Sequence, residues 1–189
     1  MSGRNMEGIA KESPRLKARI AGLFYLLTFV TGGFAAVFVG RGLVRYGDAA
    51  NLIATACYVV VTLLFYTLFK AVNTNLSLLA AFFSLVGCAL STLSFFHLAP
   101  SHINPLVFFG LYCLLIGYLI FRSNFLPRIL GVLMAIGGLG WLTFLSPPLA
   151  NRLSPYNMAP GILGEGALTL WLLVVGVNAE RWKEQASAA

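Results

Sequence analysis

Six long apolar runs dominate this chain and determine what it can fold into. Each run has close to the roughly 20 helical residues needed to cross the hydrocarbon core of a bilayer. The runs are Ile20–Val39, Ala50–Phe69, Leu76–Phe96, Pro105–Phe121, Pro127–Leu145 and Pro160–Val177. With 59% hydrophobic and 10% charged residues among 189, the chain lacks the polar shell of a soluble domain. The sequence therefore predicts an all-α membrane protein, with six transmembrane helices in an antiparallel bundle.

Residue types at the starts of several runs support these boundaries. Asp48 precedes the second run and Asn75 the third, and each is predicted to cap a helix N-terminus. Asn104 is a further capping residue, followed by proline at the first helical position. Pro127 and Pro160 open the fifth and sixth runs in the same way.

The distribution of lysine and arginine predicts the orientation of the bundle. Ten cations fall on one side: Arg4, Lys11, Arg15, Lys17, Arg19, Lys70, Arg122, Arg128, Arg181 and Lys183. Only Arg41, Arg45 and Arg152 fall on the other side. Because cytoplasmic loops are enriched in Lys and Arg, both termini are predicted to be cytoplasmic.

The same threading predicts three regions and a location. Residues 1–18 form a basic N-terminal segment, residues 19–178 the transmembrane domain, and residues 179–189 a cytoplasmic tail. Trp182 is predicted to anchor this tail at the membrane interface. The first run is longer than the apolar region of a cleaved signal peptide, so we expect an uncleaved anchor. The chain is predicted to be a multi-pass protein of the inner, cytoplasmic membrane.

Charge and small residues indicate the partners of the chain. The net charge of +7 is spread between the apolar runs, which favours the lipid bilayer as a partner and argues against nucleic acid. Small residues at four-residue spacing predict close helix packing, within the chain or against a second copy or another membrane protein. These rows are Gly32, Ala36 and Gly40; Ala80, Ser84, Cys88 and Thr92; and Gly131, Ala135, Gly137, Gly138 and Gly140. Cys57, Cys88 and Cys113 are predicted to be packing residues without a disulfide.

Few side chains could carry chemistry, and they cluster near the predicted extracytoplasmic ends of the helices. The candidate binding residues are Glu165, Asp48, His97, His102 and Thr169. Glu165 is the only acid inside an apolar run, and glycines surround it. It is either a functional residue or a helix-end acid that reaches back to the headgroups, and the sequence leaves both interpretations open.

Three hypotheses of function follow from these residues. The first is a non-enzymatic protein that binds or transports a small solute, a lipid or a proton in a polar pocket near the extracytoplasmic face. The second is a metal-dependent intramembrane hydrolase, with His97, His102 and Glu165 as metal ligands. The third is a structural or regulatory subunit of a membrane complex. The sequence lacks the motifs of phosphate-binding proteins, zinc proteases, serine hydrolases and heme proteins. It therefore favours a non-enzymatic protein over an enzyme. No cofactor is predicted apart from the metal ion of the second hypothesis.

Several stretches resemble the bacterial family known as domain of unknown function 4386. They are "ARIAGLFYLL" (18–27), "GDAA" (47–50), "NLSLLAAFF" (75–83), "VFFGLYCLLIGYLIFRSNFLPRILGVL" (107–133) and "GEGALTLWLLVVG" (164–176). The resemblance implies a polytopic membrane protein and brings no assigned reaction, cofactor or catalytic residue. Glu165 stands where the last helix of the family usually has a glutamate in a "GE" pair. This chain is shorter than the family pattern between "GDAA" and the second helix.

Overall fold

The computed structural model describes residues 13–188 apart from 97, 99, 101 and 102. Within these residues the secondary structure is helical. The α-helices are α1 (Pro14–Gly40), α2 (Val44–Phe69), α3 (Thr74–Phe95), α4 (Pro105–Arg122), α5 (Arg128–Leu142), α6 (Pro147–Leu153), α7 (Ala159–Val174) and α8 (Ala179–Ala188). Two 3₁₀ turns, Thr143–Leu145 and Tyr156–Met158, flank the short α6.

Six of these helices are long and apolar enough to cross a membrane, as the sequence predicts. They are α1 to α4, α5 extended by its 3₁₀ turn to Leu145, and α7 extended by its 3₁₀ turn from Tyr156. The protein is therefore a multi-pass membrane protein. The sidedness of its termini remains a prediction from the charge pattern.

The six spanning helices close a ring. Each packs against the next spanning helix along the chain, and α7 packs back against α1. The interior of the ring is filled with side chains from all its members rather than left as a pore. Its most buried large side chains include Tyr25, Phe65, Tyr112, Ile116, Met134 and Leu168.

Helix starts agree with the sequence at α4 and differ at α2 and α3. The Asn104 side chain accepts the N–H of Leu106 at 3.0 Å, which confirms the predicted cap of α4. The prediction for Asp48 is wrong, because α2 begins at Val44 and places Asp48 within its second turn. Asn75 likewise lies inside α3, where Asn73 is the cap and accepts the N–H of Leu76 at 2.9 Å. At α3 two asparagines two residues apart compete for the cap, whereas α2 begins after Leu43 with no side-chain cap at all.

Glycines let three neighbouring helices approach backbone to backbone. Gly117 on α4 faces Gly131 on α5, and Gly110 on α4 faces Gly138 on α5. In both pairs, each glycine packs against the backbone carbonyl oxygen of the other. Gly137 lies on another face of α5 and packs against Gly161 of α7. The glycine-rich fifth run therefore serves close packing on two sides, as small residues do between helices in lipid.

The predicted small-residue row on α1 makes no such approach. A methyl group built on Gly32 or Gly40 would meet nothing within 4 Å. The close contact of α1 with α2 lies one residue away, where Gly47 packs against the carbonyl oxygen of Ala35. Gly47 is the glycine of the "GDAA" motif, which lies inside α2. Of the row on α3, Ala80, Ser84 and Cys88 are buried as predicted, whereas Thr92 is only half-buried.

The C-terminal helix α8 folds under the ring instead of projecting from it. Gly176, with φ of 76°, lets the chain turn after α7 in the left-handed conformation that glycine adopts freely. Trp182 is 3% exposed, and its indole N–H donates to the carbonyl oxygen of Leu68 at 2.8 Å. The predicted interfacial anchor role of Trp182 is therefore wrong, because this side chain satisfies a carbonyl group in the last turn of α2.

The glycine contacts predict a large difference between two otherwise similar substitutions. In Gly131→Ala, the added methyl would lie 2.5 Å from the Gly117 oxygen and 2.8 Å from the Phe121 nitrogen. We expect this overpacking to lower the free energy of unfolding by about 1–3 kcal/mol. Gly32→Ala, which meets no neighbour, is the matched control and is expected to change it by less than about 0.5 kcal/mol. Reversible unfolding in mixed micelles measures both, and equal stabilities would contradict the observed packing.

Candidate functional site

The side chain of Glu165 points into the ring, away from lipid and headgroups. Glu165 lies in the second turn of α7 and is 7% exposed. The interpretation as a helix-end acid that reaches back to the headgroups is therefore wrong. What surrounds the carboxylate inside the ring determines how it is stabilised.

Four donors from four different helices surround the two carboxylate oxygens. Oε2 accepts the hydroxyl of Tyr25 on α1 at 2.6 Å and that of Tyr58 on α2 at 3.2 Å. Oε1 accepts the indole N–H of Trp141 on α5 at 2.7 Å and faces the thiol of Cys113 on α4 at 3.7 Å. We call these five residues the Glu165 cluster. Together with α7, the cluster joins five of the six spanning helices.

The cluster contains hydrogen-bond donors but no countercharge. No lysine, arginine or histidine among the described residues contacts the carboxylate. Burying a carboxylate without partners is strongly unfavourable. Each hydrogen bond to a charged group offsets roughly 1.5–3 kcal/mol of that penalty. The site is therefore built to accept negative charge through neutral dipoles.

Gly161 explains how the Trp141 ring reaches the carboxylate. Gly161 precedes Glu165 by one helical turn, so both lie on the same face of α7. A methyl group on Gly161 would overlap the indole of Trp141. Glycine at this position leaves the space through which the indole passes. The glycine next to the acid on its other side, Gly166, has no neighbour within 4 Å and has no such role.

Aromatic rings of α1, α2 and α4 enclose the cluster on the side of the tyrosines. The ring of Tyr58 packs edge-on against Tyr25, Phe109 and Tyr112, with centroids 5.4, 4.8 and 5.8 Å apart. The hydroxyl of Tyr112 is buried without a hydrogen-bond partner among the described groups. The surroundings of the carboxylate are therefore mostly aromatic, and besides the donors they contain the unpaired hydroxyl of Tyr112.

The other predicted site residues do not join the cluster. Thr169 donates to the backbone oxygen of Glu165 at 2.8 Å, so it supports the helix rather than the carboxylate. Asp48 is half-buried and ten residues before Tyr58, which is about 15 Å along α2. His97 and His102 lie outside the described residues.

The metal-site hypothesis remains a prediction, because two of its three proposed ligands, His97 and His102, lie outside the described residues. Among the described residues, no three His, Cys, Asp or Glu side chains lie close enough together to hold a metal ion. Glu165, its proposed acidic ligand, has hydrogen-bond donors at both oxygens.

Sequence reasoning found Glu165 but missed its partners. Tyr25, Tyr58 and Trp141 occur inside apolar runs, where aromatic residues are common and carry no special pattern. The signal available was their polar tip, because a buried tyrosine or tryptophan usually finds a hydrogen-bond partner. With one acid in the spans, that partner could have been proposed.

Comparison with known proteins places the chain in a family. The model of the family described as Domain of unknown function (DUF4386) matches residues 20–104 and 101–176. The chain belongs to the DUF4386 family. An uncharacterized protein of Archaeoglobus fulgidus is 30% identical over 127 residues, which cover 62% of this chain and 76% of that protein. No solved structure matches the chain.

These matches confirm the resemblance seen in the sequence and leave the activity of this DUF4386 protein open. Neither the family description nor the relative's name states a reaction, a ligand or a partner. The bacterial origin of the chain stays a prediction. The functional interpretation therefore depends on the geometry of the Glu165 cluster.

Two glycines of α7, Gly161 one turn before Glu165 and Gly166 directly after it, give a matched test of that geometry. Gly161→Ala should displace the Trp141 indole, break its hydrogen bond to Glu165 and lower the free energy of unfolding by about 1–3 kcal/mol. Gly166→Ala should leave both unchanged, because the added methyl meets no atom within 4 Å. Unfolding in mixed micelles and tryptophan emission spectra measure the two effects. A Gly161→Ala protein with unaltered stability and spectrum would contradict the described position of Trp141.

Proposed function

We propose that this multi-pass membrane protein is non-enzymatic and that its Glu165 cluster binds and releases a proton. The first hypothesis left a small solute, a lipid or a proton as the bound species, and the proposal selects the proton. The observation that supports it is a lone carboxylate, buried at the centre of five helices and held only by neutral donors.

The packing around the carboxylate favours a proton over a larger solute. Both clefts described on this structure are lined by other residues, and neither includes a member of the cluster. Trp141, Tyr25 and Tyr58 occupy the space in front of the oxygens at 2.6 to 3.2 Å. A proton is the one species that can bind there without displacing a side chain.

The two tyrosines provide a second arrangement for the protonated site. Their hydroxyl oxygens are 3.3 Å apart and both contact Oε2. When Glu165 is ionised, both hydroxyls donate to the carboxylate. A protonated Oε2 must instead donate to a tyrosine oxygen, because the indole N–H of Trp141 has no lone pair to accept it. That tyrosine then turns its own hydrogen towards the other one.

Titratable groups face Glu165 from three of the helices packed around it. They are Tyr25 from α1, Tyr58 from α2, and Cys113 and Tyr112 from α4, whereas α5 contributes the non-titratable Trp141. Glu165 is the only acid among them. It is therefore the group to which a proton taken up by the cluster is assigned.

Buried polar groups lie on both sides of the cluster, and they differ in how their hydrogen bonds are satisfied. Asn157 lies eight residues before Glu165, and its amide N–H donates to the hydroxyl of Thr143 at 3.0 Å. The Asn157 oxygen is buried and has no partner among the described groups. In the other direction, the buried hydroxyls of Thr169 and Thr62 donate to backbone oxygens of their own helices. Leu168 and Leu172 of α7 on that side are completely buried. Proton exchange is therefore proposed on the side of Asn157, which the charge pattern predicts to be extracytoplasmic.

Trp141 provides an internal reporter for the test. Its indole donates directly to Glu165, so its fluorescence should change as the carboxylate gains a proton. We expect the emission of the wild-type protein in micelles to show a pH-dependent transition. Glu165→Gln should abolish this transition, since the amide keeps the shape of the side chain but does not titrate.

Two further results keep the test decisive. Trp141→Phe should also remove the transition, although Trp171 and Trp182 still fluoresce. A flat titration of the wild type would mean that the charge of Glu165 is fixed, which favours the structural-subunit hypothesis. A transition that persists in Glu165→Gln belongs to another group and equally contradicts the proposal.

A further inference from the structure

A second polar site lies at the opposite end of the ring, where both termini emerge. A cleft of about 600 Å³ opens between the start of α1, the connection from α4 to α5, the end of α7 and the start of α8. Its polar lining includes Arg15, Asn124, Glu180 and Arg181. None of these residues belongs to the Glu165 cluster.

Two arginines line this cleft, and no ion pair with an acid holds either of them within the described part of the chain. Arg15 lies in the first turn of α1 and Arg181 in the first turn of α8. The N-terminus of a helix carries a partial positive charge, so a cation there is electrostatically unfavourable. Neither arginine forms an ion pair with a described acid, although Glu180 lines the same cleft. Among the described residues, the guanidinium of Arg181 donates to the Asn124 backbone oxygen at 3.5 Å.

The local backbone holds these groups in place. The Asn178 side chain caps α8 by accepting the N–H of Arg181 at 3.1 Å. Gly176 lies against the stem of Arg15, whose Cγ would be 3.2 Å from a methyl group at that position. The cleft is therefore a formed feature of the fold, since these contacts fix the start of both helices that supply its arginines.

The remaining lining is apolar and lies at the level of the membrane surface. Phe125, Leu126, Trp171, Val175 and Val177 line the cleft beside the arginines. Trp171 lies in the last turn of the spanning helix α7, and Val175 is its C-cap. Tryptophan at the end of a spanning helix is typical of the headgroup region. A ligand that suits this cleft has an anionic head and an apolar body.

We propose that this cleft binds the phosphate group of an anionic phospholipid. Arginine matches phosphate oxygens through paired N–H donors, and the two helix N-termini add favourable dipoles. The position of the cleft also supports an anionic lipid as the ligand. It lies at the end of the ring that is rich in lysine and arginine, and such clusters attract anionic lipids. Free inorganic phosphate shares the same chemistry, and the experiment separates it from the lipid.

The test uses the full-length protein, stripped of lipid in detergent, with native mass spectrometry to count bound molecules. Phosphatidylglycerol and phosphatidylcholine with identical acyl chains are added separately. We expect one phosphatidylglycerol to bind in preference to phosphatidylcholine, and Arg15→Gln/Arg181→Gln to weaken that binding at least about tenfold, as loss of paired charged contacts implies. The control, Arg41→Gln/Arg45→Gln, removes two cations at the other end and should bind like wild type.

Each remaining outcome decides the matter. Equal binding by the two double variants, or no preference for the anionic lipid, would overturn the proposal. Displacement of the lipid by millimolar inorganic phosphate would keep the phosphate site but assign it to the free anion. Should the Arg15/Arg181 double variant fail to fold, Arg181→Gln alone is used, and a wild-type increase in melting temperature with phosphatidylglycerol must disappear in it.

Discussion

The hydrogen bonds to Glu165 are the interaction on which the arrangement of the helices depends. In a bilayer, helices have no hydrophobic driving force to associate, so packing and interhelical hydrogen bonds determine their order. Tyr25, Tyr58, Cys113 and Trp141 direct one polar group each from α1, α2, α4 and α5 to a single carboxylate. Moving any of these helices outward by an ångström or two would leave a donor, and part of the charge, without a partner.

The remaining spanning helix is tied to the ring by a different polar contact. The hydroxyl groups of Ser84 on α3 and Thr62 on α2 are 2.5 Å apart in the buried interior. Thr62 lies one turn from Tyr58 and donates to its backbone oxygen at 2.9 Å. The α3 helix is thus held through α2, next to the residue that holds the carboxylate.

Hydropathy predicts the spans of this protein because each one must satisfy its backbone hydrogen bonds internally. The boundaries were less predictable. The sequence predicts that the second helix starts after Asp48, at the apolar run. In the structure α2 begins earlier, at Val44, so the residues before the run form its first turns. Trp182 is predicted to be an interfacial anchor, because the sequence of the tail alone gives no sign that α8 folds back under α2. The first difference concerns neighbouring segments, since Gly47 packs against Ala35 of α1, and the second arises from a contact between residues 114 positions apart.

The candidate site also contains one residue that the sequence could predict and several that it could not. Glu165 is recognisable in the sequence because an acid in an apolar run is costly wherever the helix lies. Its donors are unrecognisable because Tyr25 and Glu165 are 140 residues apart, and only the closure of α7 against α1 brings them together. Gly161 is intermediate: its small size suggested space for a neighbour, while the identity of that neighbour, Trp141, depends on how α5 packs.

The seam between α1 and α7 connects the two polar sites of the molecule. Tyr25 and Arg15 are ten residues apart on α1, and Glu165 and Val175 ten residues apart along α7, so about 15 Å separates the sites. Between them, Gly22 packs so closely that a methyl group there would lie 3.0 Å from the Leu173 nitrogen. Coupling between distant sites needs an element with two arrangements. A seam packed at backbone contact has little freedom to slide. Under the proposed function, the exchangeable hydrogens of Tyr25 and Tyr58 supply the second arrangement without a movement of α1 against α7.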